Sequence, residues 1–262
     1  AGPLAVGNLL MRKQDAAGAR TAFERAQAKQ ADYLPALEQL TRLDLLEKKA
    51  EAAVTRTQAY VNQHPTSAQA RILLAQALLA ADRRPAAEQE LERAIELDPK
   101  EQAAYLLLAQ LYNESDRRAD ALVQLNTLLE KQPGDKRALM LLGMLYTEMG
   151  DAQKAANNYE ALIKVDDAFS PALNNLAYLY SEKLNNLDRA YELARRSREL
   201  LPDDPRIADT LGWILYHRGE YALALVHLQE SAAKLAQIGE VRKTGPRRMP
   251  ARPGFVVALT LR

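Results

Sequence analysis

A 34-residue repeat constrains this chain more than any other feature. Pro65, Pro99 and Pro133 are spaced by 34 residues, and the same spacing extended in both directions divides the chain into seven repeats. With one extra residue allowed in the sixth repeat, the twentieth position is always alanine: Ala19, Ala53, Ala87, Ala121, Ala155, Ala190 and Ala224. A period of this length predicts a stack of small helical or strand units rather than one globular core.

Each repeat predicts two short helices. In the fourth repeat, apolar residues lie three or four positions apart in two groups, Tyr105, Leu108 and Tyr112, then Ala121, Leu125 and Leu128. The eighth position is small in every repeat: Gly7, Thr41, Ala75, Ala109, Gly143, Ala177 and Gly212. Small residues in fixed register let two helices approach closely. The fifteenth position holds residues that tolerate a left-handed backbone and suit the end of the first helix: Asp82, Asp116, Gly150 and Gly219.

The fourth and fifth repeats, "AAYLLLAQLYNESDRRADALVQLNTLLEKQP" and "RALMLLGMLYTEMGDAQKAANNYEALIKVDD", resemble the tetratricopeptide repeat family. The first two repeats depart from its pattern, because Asp44 stands at the usual tyrosine position and Thr57 at a usual aromatic or leucine position. The resemblance covers roughly residues 1–236. It implies an all-α fold, an α-solenoid or right-handed superhelix of about seven helical hairpins. The predicted repeats span residues 1–33, 34–67, 68–101, 102–135, 136–169, 170–204 and 205–236.

Residues 237–262 lose the repeat and form a basic, proline-rich tail. They carry six Lys/Arg against one Glu, which leaves residues 1–236 at a net charge of about −4. Prolines at 246, 250 and 253 exclude a continuous capping helix. Three interpretations stay open: a non-native or atypical sequence, a flexible basic segment, and a functional basic anchor. "FVVALTL" has strand-like composition and could cover the last helix or pair with another chain.

The composition argues against an independent active site. The chain has no cysteine, and no two of its histidines share the i, i+4 spacing of a helical metal pair. Signature motifs for phosphate cradles and hydrolase nucleophiles are missing from the sequence. We therefore expect no enzyme activity, no cofactor and no metal site, with His64 in a surface turn and His227 on a solvated face. A formal charge of +1 and the lack of a long apolar run also predict no nucleic-acid partner and no transmembrane segment.

The resemblance implies a binding groove on the concave surface, lined by the first helix of each repeat. The residues expected there are Gln76, Leu106, Gln110, Asn113, Met140, Met144, Asn174, Tyr178, Asp209, Trp213, Tyr216 and His217. Tyrosine and tryptophan are favoured binding anchors because they combine a large apolar area with a polar atom. For Trp213, packing between the sixth and seventh repeats is the alternative. Some family members grip a C-terminal carboxylate with a clamp of lysine, asparagine and arginine; Leu4, Asn8, Gln39 and Ile72 stand where its first charged residues would be.

These observations predict a non-enzymatic scaffold that binds a peptide or helical segment of a partner protein in the groove. The alternative is a structural subunit of a bacterial cell-envelope assembly, serving polysaccharide export or secretion, that docks through its convex or end surfaces. Self-association through uncapped ends of the array is a further expectation. The compartment is open, with the bacterial envelope or periplasm favoured over the cytoplasm because the sixth and seventh repeats resemble those of envelope proteins.

Overall fold

The structure is a computed structural model that describes residues 2–30 and 32–237. Its described residues form fourteen α-helices and no strand, which confirms the all-α repeat fold. The predicted tail from residue 238 onward lies outside the described residues. The helices are α1 Pro3–Arg12, α2 Ala16–Lys29, α3 Leu34–Leu46, α4 Ala50–Gln63, α5 Ala68–Ala80, α6 Arg84–Leu97, α7 Gln102–Glu114, α8 Arg118–Lys131, α9 Lys136–Glu148, α10 Ala152–Val165, α11 Ser170–Glu182, α12 Leu187–Leu200, α13 Pro205–His217 and α14 Tyr221–Gln237.

The chain divides into two compact units, Ala1–Lys131 and Gln132–Arg262, which we call the first and second units. Each unit is built from helical hairpins, α1 with α2 through α7 with α8 in the first and α9 with α10 through α13 with α14 in the second. Within each unit, the second helix of one hairpin packs on the first helix of the next. The repeat boundaries given above remain a prediction.

The turn inside each hairpin depends on a single left-handed residue. Asp82, Asp116, Gly150 and Gly219 have φ between 55° and 81°, as their position in the repeat predicts. The other three hairpins place Gln14, Lys48 and Asn185 in the same region, with φ between 51° and 61°. This conformation lets the chain leave the first helix at once and start the second after about three residues.

The alanines at the twentieth position are the centre of the packing. All seven are buried, with at most 2% of their surface exposed. In the first hairpins, Ala19 and Phe23 of α2 pack against Leu40 and Leu43 of α3. The alanine spacing therefore marks where the two helices of one hairpin approach each other and where a following hairpin packs, because a methyl group leaves room for the neighbouring side chains.

The eighth and twenty-fourth positions of a repeat complement each other in size. A Cβ atom built on Gly7 would overlap the ring of Phe23, and one built on Gly143 would overlap the ring of Tyr159. Where the eighth position is Ala75, the twenty-fourth is the smaller Leu91, and both are fully buried. Gly7 and Gly143 thus stand where the partner helix carries an aromatic ring, whereas Gly212 faces Leu228, so a glycine at the eighth position does not always pair with an aromatic residue.

Candidate functional site

Four aromatic side chains gather where α13 turns into α14 in the second unit. Trp213, Tyr216 and His217 lie three and four residues apart on α13, so they share one helix face. The rings of Trp213 and Tyr216 stack with centroids 5.2 Å apart, and His217 meets Trp213 edge-on at 4.6 Å. Tyr221, the first residue of α14, meets Tyr216 edge-on at 5.4 Å. We call these four residues the aromatic cluster.

The cluster is partly open to solvent. Tyr216 is 48% exposed and Tyr221 is 64% exposed, whereas Trp213 is half-buried. Trp213 is the only tryptophan of the chain. The arrangement therefore has a tryptophan at its base and two accessible tyrosine rings above it, which is a surface that can contact another molecule through large and rigid side chains.

Glu182 links the cluster to the preceding hairpin and is absent from the groove residues that the sequence predicts. The indole Nε1 of Trp213 donates a hydrogen bond of 2.6 Å to Oε1 of Glu182, the last residue of α11. Nε2 of His217 lies 3.4 Å from the same oxygen. Trp213 thus contributes both to packing between repeats and to the cluster, which joins the two alternatives given for it.

Charged side chains surround the turn that follows the cluster. Arg218 pairs with Asp188 at 2.6 Å and with Glu220 at 2.8 Å. Its guanidinium carbon also lies 4.7 Å from the ring centroid of Tyr191. The hydrogen bonds that Arg218 donates to Glu220 and Asp188 raise its pKa further above its ordinary value, so the guanidinium stays charged at any relevant pH.

Three of the predicted groove residues are not on an open surface. Leu106, Met140 and Asn174, each at the fifth position of its repeat, are 5%, 1% and 0% exposed. Each of the three lies on the first helix of a hairpin, which packs against the second helix of the same hairpin. Placing these three residues in an accessible groove is therefore corrected: they are part of the packed interior.

The remaining groove residues keep at least partial exposure. In the second unit these are Met144, Tyr178 and Asp209 besides the cluster; in the first unit they are Gln76, Gln110 and Asn113. Gln110 donates a hydrogen bond of 2.9 Å to Glu114 one turn later. Whether these residues contact a partner stays a prediction. Asn175, which is not among the predicted groove residues, donates a hydrogen bond of 3.3 Å from α11 to the buried Tyr159 of α10.

The histidines outside the cluster have structural surroundings. His64 is the C-cap residue that follows α4, and the centroid of its ring lies 4.4 Å from that of Tyr60. His227 is half-buried, against the expectation of a solvated face, and burial lowers its pKa.

Among the described residues, no group of three or more His, Asp or Glu side chains is placed to hold a metal ion. Over the same part of the chain, none of the helices is both long and apolar enough to cross a membrane.

Comparison with known proteins agrees with the repeat pattern. Tetratricopeptide repeat family models match residues 78–145 and 136–169. A TPR repeat-containing protein of Pseudomonas aeruginosa is 38% identical over 60 residues, which are 23% of this chain and 10% of that protein. The match therefore spans a tenth of the relative's length.

Solved structures share the fold at low sequence identity. A tetratricopeptide repeat protein from Parabacteroides merdae is 16% identical, with a TM-score of 0.60 over 88% of this chain and 91% of that chain. MamA from Desulfovibrio magneticus is 15% identical, with a TM-score of 0.58 over 65% and 96% of the two chains. YrrB, titled a TPR protein with an unusual peptide-binding site, is 17% identical, with a TM-score of 0.52 over 76% and 98%.

Tetratricopeptide repeat models match residues 78–169, and the described residues outside that range form helical hairpins of the same kind. Stacked helical hairpins of this kind have the architecture of a protein-interaction scaffold.

Proposed function

We propose that the chain is a non-catalytic scaffold that binds an extended or helical segment of a partner protein, anchored on the aromatic cluster of the second unit. The observation that carries this proposal is the pair of exposed rings, Tyr216 and Tyr221, held 5.4 Å apart above the half-buried Trp213. Aromatic side chains with few rotatable bonds are frequent energetic centres of protein interfaces, since they contribute large area at a small entropic cost.

The surface beside the cluster suits a peptide. Tyr178 on α11 and Asp209 on α13 are half-buried, so they offer polar atoms and apolar area without being fully solvated. A peptide backbone needs such donors and acceptors to replace the water that it loses on binding. YrrB, which shares the fold, is titled as a peptide-binding protein and supports the proposal by analogy only.

The experiment is a selection of random twelve-residue peptides displayed on phage against the immobilised full chain. Selected peptides are then titrated into the chain while the fluorescence of Trp213 is recorded, since the only tryptophan stands in the cluster. We expect a change in that emission on binding. Tyr216→Ser and Tyr221→Ser should each weaken binding about tenfold, in the range of interface hot spots.

Val123→Ser is the matched control. Val123 is an apolar residue of α8 in the first unit and is 59% exposed, close to the exposure of Tyr221. Its replacement should leave peptide affinity unchanged. Peptides that bind the two tyrosine variants as tightly as the unaltered chain, with helical circular dichroism intact in all variants, would show that the cluster is not the anchor.

The envelope-assembly alternative and self-association stay predictions, and sedimentation separates them from peptide binding. If the chain and its Tyr216→Ser variant form oligomers to the same extent as the concentration rises, self-association uses a surface other than the aromatic cluster. A monomer at all concentrations removes the expectation of association through the ends of the array.

A further inference from the structure

We propose that the chain forms a dimer in which α14 packs antiparallel against α14 of a second copy. The proposal goes beyond the peptide site, because it uses a different surface of the second unit. Three properties of α14 lead to it: an apolar stripe that is open to solvent, uncharged residues beside that stripe, and a length that the second helices of the other hairpins do not have.

Four apolar residues form a stripe along α14: Leu225, Leu228, Ala232 and Leu235. They are three, four and three residues apart, so they lie on one face of the helix. Leu225 is 56% exposed and Ala232 is also exposed, whereas the two other leucines are half-buried. This spacing matches the seam of a helix pair, in which the side chains of one helix fill the gaps of the other.

The same positions are covered in every other second helix. Leu225 and Ala232 stand at the twenty-first and twenty-eighth positions of their repeat. In α2, α4, α6, α8, α10 and α12, the residues at these two positions are all buried or half-buried. Val54 and Val61 of α4, for example, are 7% and 3% exposed. On α14 these positions therefore form a packing surface that the described residues leave open.

The residues of α14 beside the stripe are uncharged. Gln229 and Ala236 lie along its exposed edge. Glu230 and Lys234 lie on the opposite side of the helix at 100° per residue. There they pair with each other at 2.7 Å, and Glu230 also pairs with Arg198 of α12 at 2.5 Å. Two copies can therefore approach through the stripe without bringing like charges of α14 together.

An antiparallel pair matches the residues of the stripe in size. With the two-fold axis at its middle, Leu225 faces Leu235 of the second copy, and Leu228 faces Ala232. The small Ala232 gives room to the leucine opposite it, as the buried alanines do between the hairpins of one chain. Both copies use the same surface, so the contact closes as a dimer and does not continue into a filament. Tyr221 of the aromatic cluster lies before this stretch and stays accessible.

The length of α14 suits such a pair. It has 17 residues, whereas each other second helix has 14, and the added turn carries Leu235. A helix of this length spans about 25 Å, and two of them bury on the order of 1,000 Å², the lower limit for a specific interface. We therefore expect a dissociation constant on the order of 10 μM.

Two other occupants fit the stripe less well. α1 exposes Val6 and Leu9, but it has ten residues against thirteen in each other first helix. Residues 255–261, which lie outside the described residues, have strand-like composition. Side chains on one face of a strand repeat about every 6.6 Å, whereas those of the stripe repeat about every 4.5–6 Å. A second α14 has the matching repeat and length.

Sedimentation velocity of the full chain, from about 1 to 200 μM, tests the dimer. We expect the sedimentation coefficient to rise with concentration. Leu225→Ser should weaken association at least about tenfold, since it removes an apolar contact from both copies. Leu223→Ser is the matched control. Leu223 belongs to the same helix and is 53% exposed but lies off the stripe, so its replacement should leave association unchanged.

A mixture of two variants tests the antiparallel direction. Leu225→Lys and Leu235→Glu should each weaken association alone, because a charged residue then faces a leucine. In the mixed dimer the introduced lysine and glutamate face each other, so the mixture should associate at least about fivefold more tightly than either variant. Recovery in a mixture of Leu225→Lys with Leu225→Glu instead would indicate a parallel pair and overturn the proposed one.

Three further outcomes would overturn the α14 pair. The first is a monomer at every concentration; if Phe255→Ser then permits association, residues 255–261 are the occupant of the stripe. The second is association that Leu9→Ser weakens as much as Leu225→Ser does, which would assign the stripe to α1 of the second copy. The third is equal association of Leu225→Ser and the unaltered chain, with helical circular dichroism intact in both.

Discussion

The second repeat and the fifth repeat hold their helices together by different means. In the first unit, Asp44 of α3 is 1% exposed; its carboxylate lies 2.7 Å from Nη1 of Arg20 and 3.0 Å from Nε of Arg56. In the second unit, the fully buried Tyr159 of α10 packs on Gly143 and receives a hydrogen bond from Asn175. One repeat joins its helices with a buried ion network, and the other joins them with a ring against a bare backbone.

This difference shows that the repeat fixes where helices meet but not the chemistry that joins them. Burial raises the pKa of Tyr159 to about 12, so that ring is a neutral packing element at any ordinary pH. The Asp44 network is ionic and costs desolvation energy that its partners must offset. The two regions should consequently respond differently to mutation, and the following predictions measure that difference from the largest effect to the smallest.

Asp44→Ala should have the largest effect. It removes the buried carboxylate that two guanidinium groups share, and leaves those cations close together. Loss of one partner of a buried ion pair typically costs about 3–5 kcal/mol. Urea unfolding followed by circular dichroism should show this loss. A free energy of unfolding within about 0.5 kcal/mol of the unaltered chain would mean that solvent replaces the network at no cost.

Gly143→Ala should cost about 1–3 kcal/mol, because the added methyl group overlaps the ring of Tyr159. Tyr159→Leu in the same chain should recover part of this loss, since the alanine and leucine pair then matches Ala75 and Leu91. The measurement is a double-mutant cycle of urea unfolding. Strictly additive effects would contradict the size complementarity of the eighth and twenty-fourth positions.

Glu230 provides a pH-dependent ion pair for comparison with the Asp44 network. Hydrogen bonds from Arg198 at 2.5 Å and from Lys234 lower the pKa of Glu230 from 4.5 to about 2. Because the folded pKa is below the unfolded one, its contribution is complete above pH 4.5 and is lost as the pH falls toward 2. Glu230→Gln should reduce the loss of stability across that window by up to about 1 kcal/mol. Identical pH profiles of unfolding would contradict the pairing.

Lys48→Gly should have the smallest effect and a stabilising sign. Lys48 has a φ of 58° in the turn between α3 and α4, where glycine is favoured. The gain should be about 0.5 kcal/mol, because glycine also increases the entropy of the unfolded chain. Gly150→Ala is the matched reverse change at a φ of 81° and should destabilise by about 1 kcal/mol. Thermal unfolding measures both changes. A shift of the unfolding temperature in the same direction for Lys48→Gly and Gly150→Ala would contradict the prediction.

The sequence predicts the repeated architecture because that architecture is local. The alanine register and the left-handed turn residues Asp82 and Gly150 follow from spacing alone, and the structure confirms them. The side-chain contacts between repeats are harder to predict from the sequence. Partners such as Arg20 and Asp44 lie 24 positions apart, and no periodicity links them.

The candidate site could be predicted only in part. The aromatic residues of α13 are identifiable from their repeat positions. Asn174 and Met140 are buried, whereas Glu38 at the same fifth position of the second repeat is exposed, so the repeat position alone does not decide burial. Glu182 gives no distinct signal in the sequence, because a glutamate in the last turn of a helix is ordinary. The one regularity is its repeat position, the thirteenth, where Glu114 and Glu148 stand in the two preceding repeats and His217 in the next.

Photo-crosslinking tests the peptide anchor most directly. A selected peptide carrying a photoreactive group beside its dominant residue is irradiated with the full chain, and the crosslinked residues are identified by mass spectrometry. We expect crosslinks to residues 213–221 and their loss when unlabelled peptide competes. Crosslinks confined to residues outside this range, such as those around Val123 on α8, would contradict it.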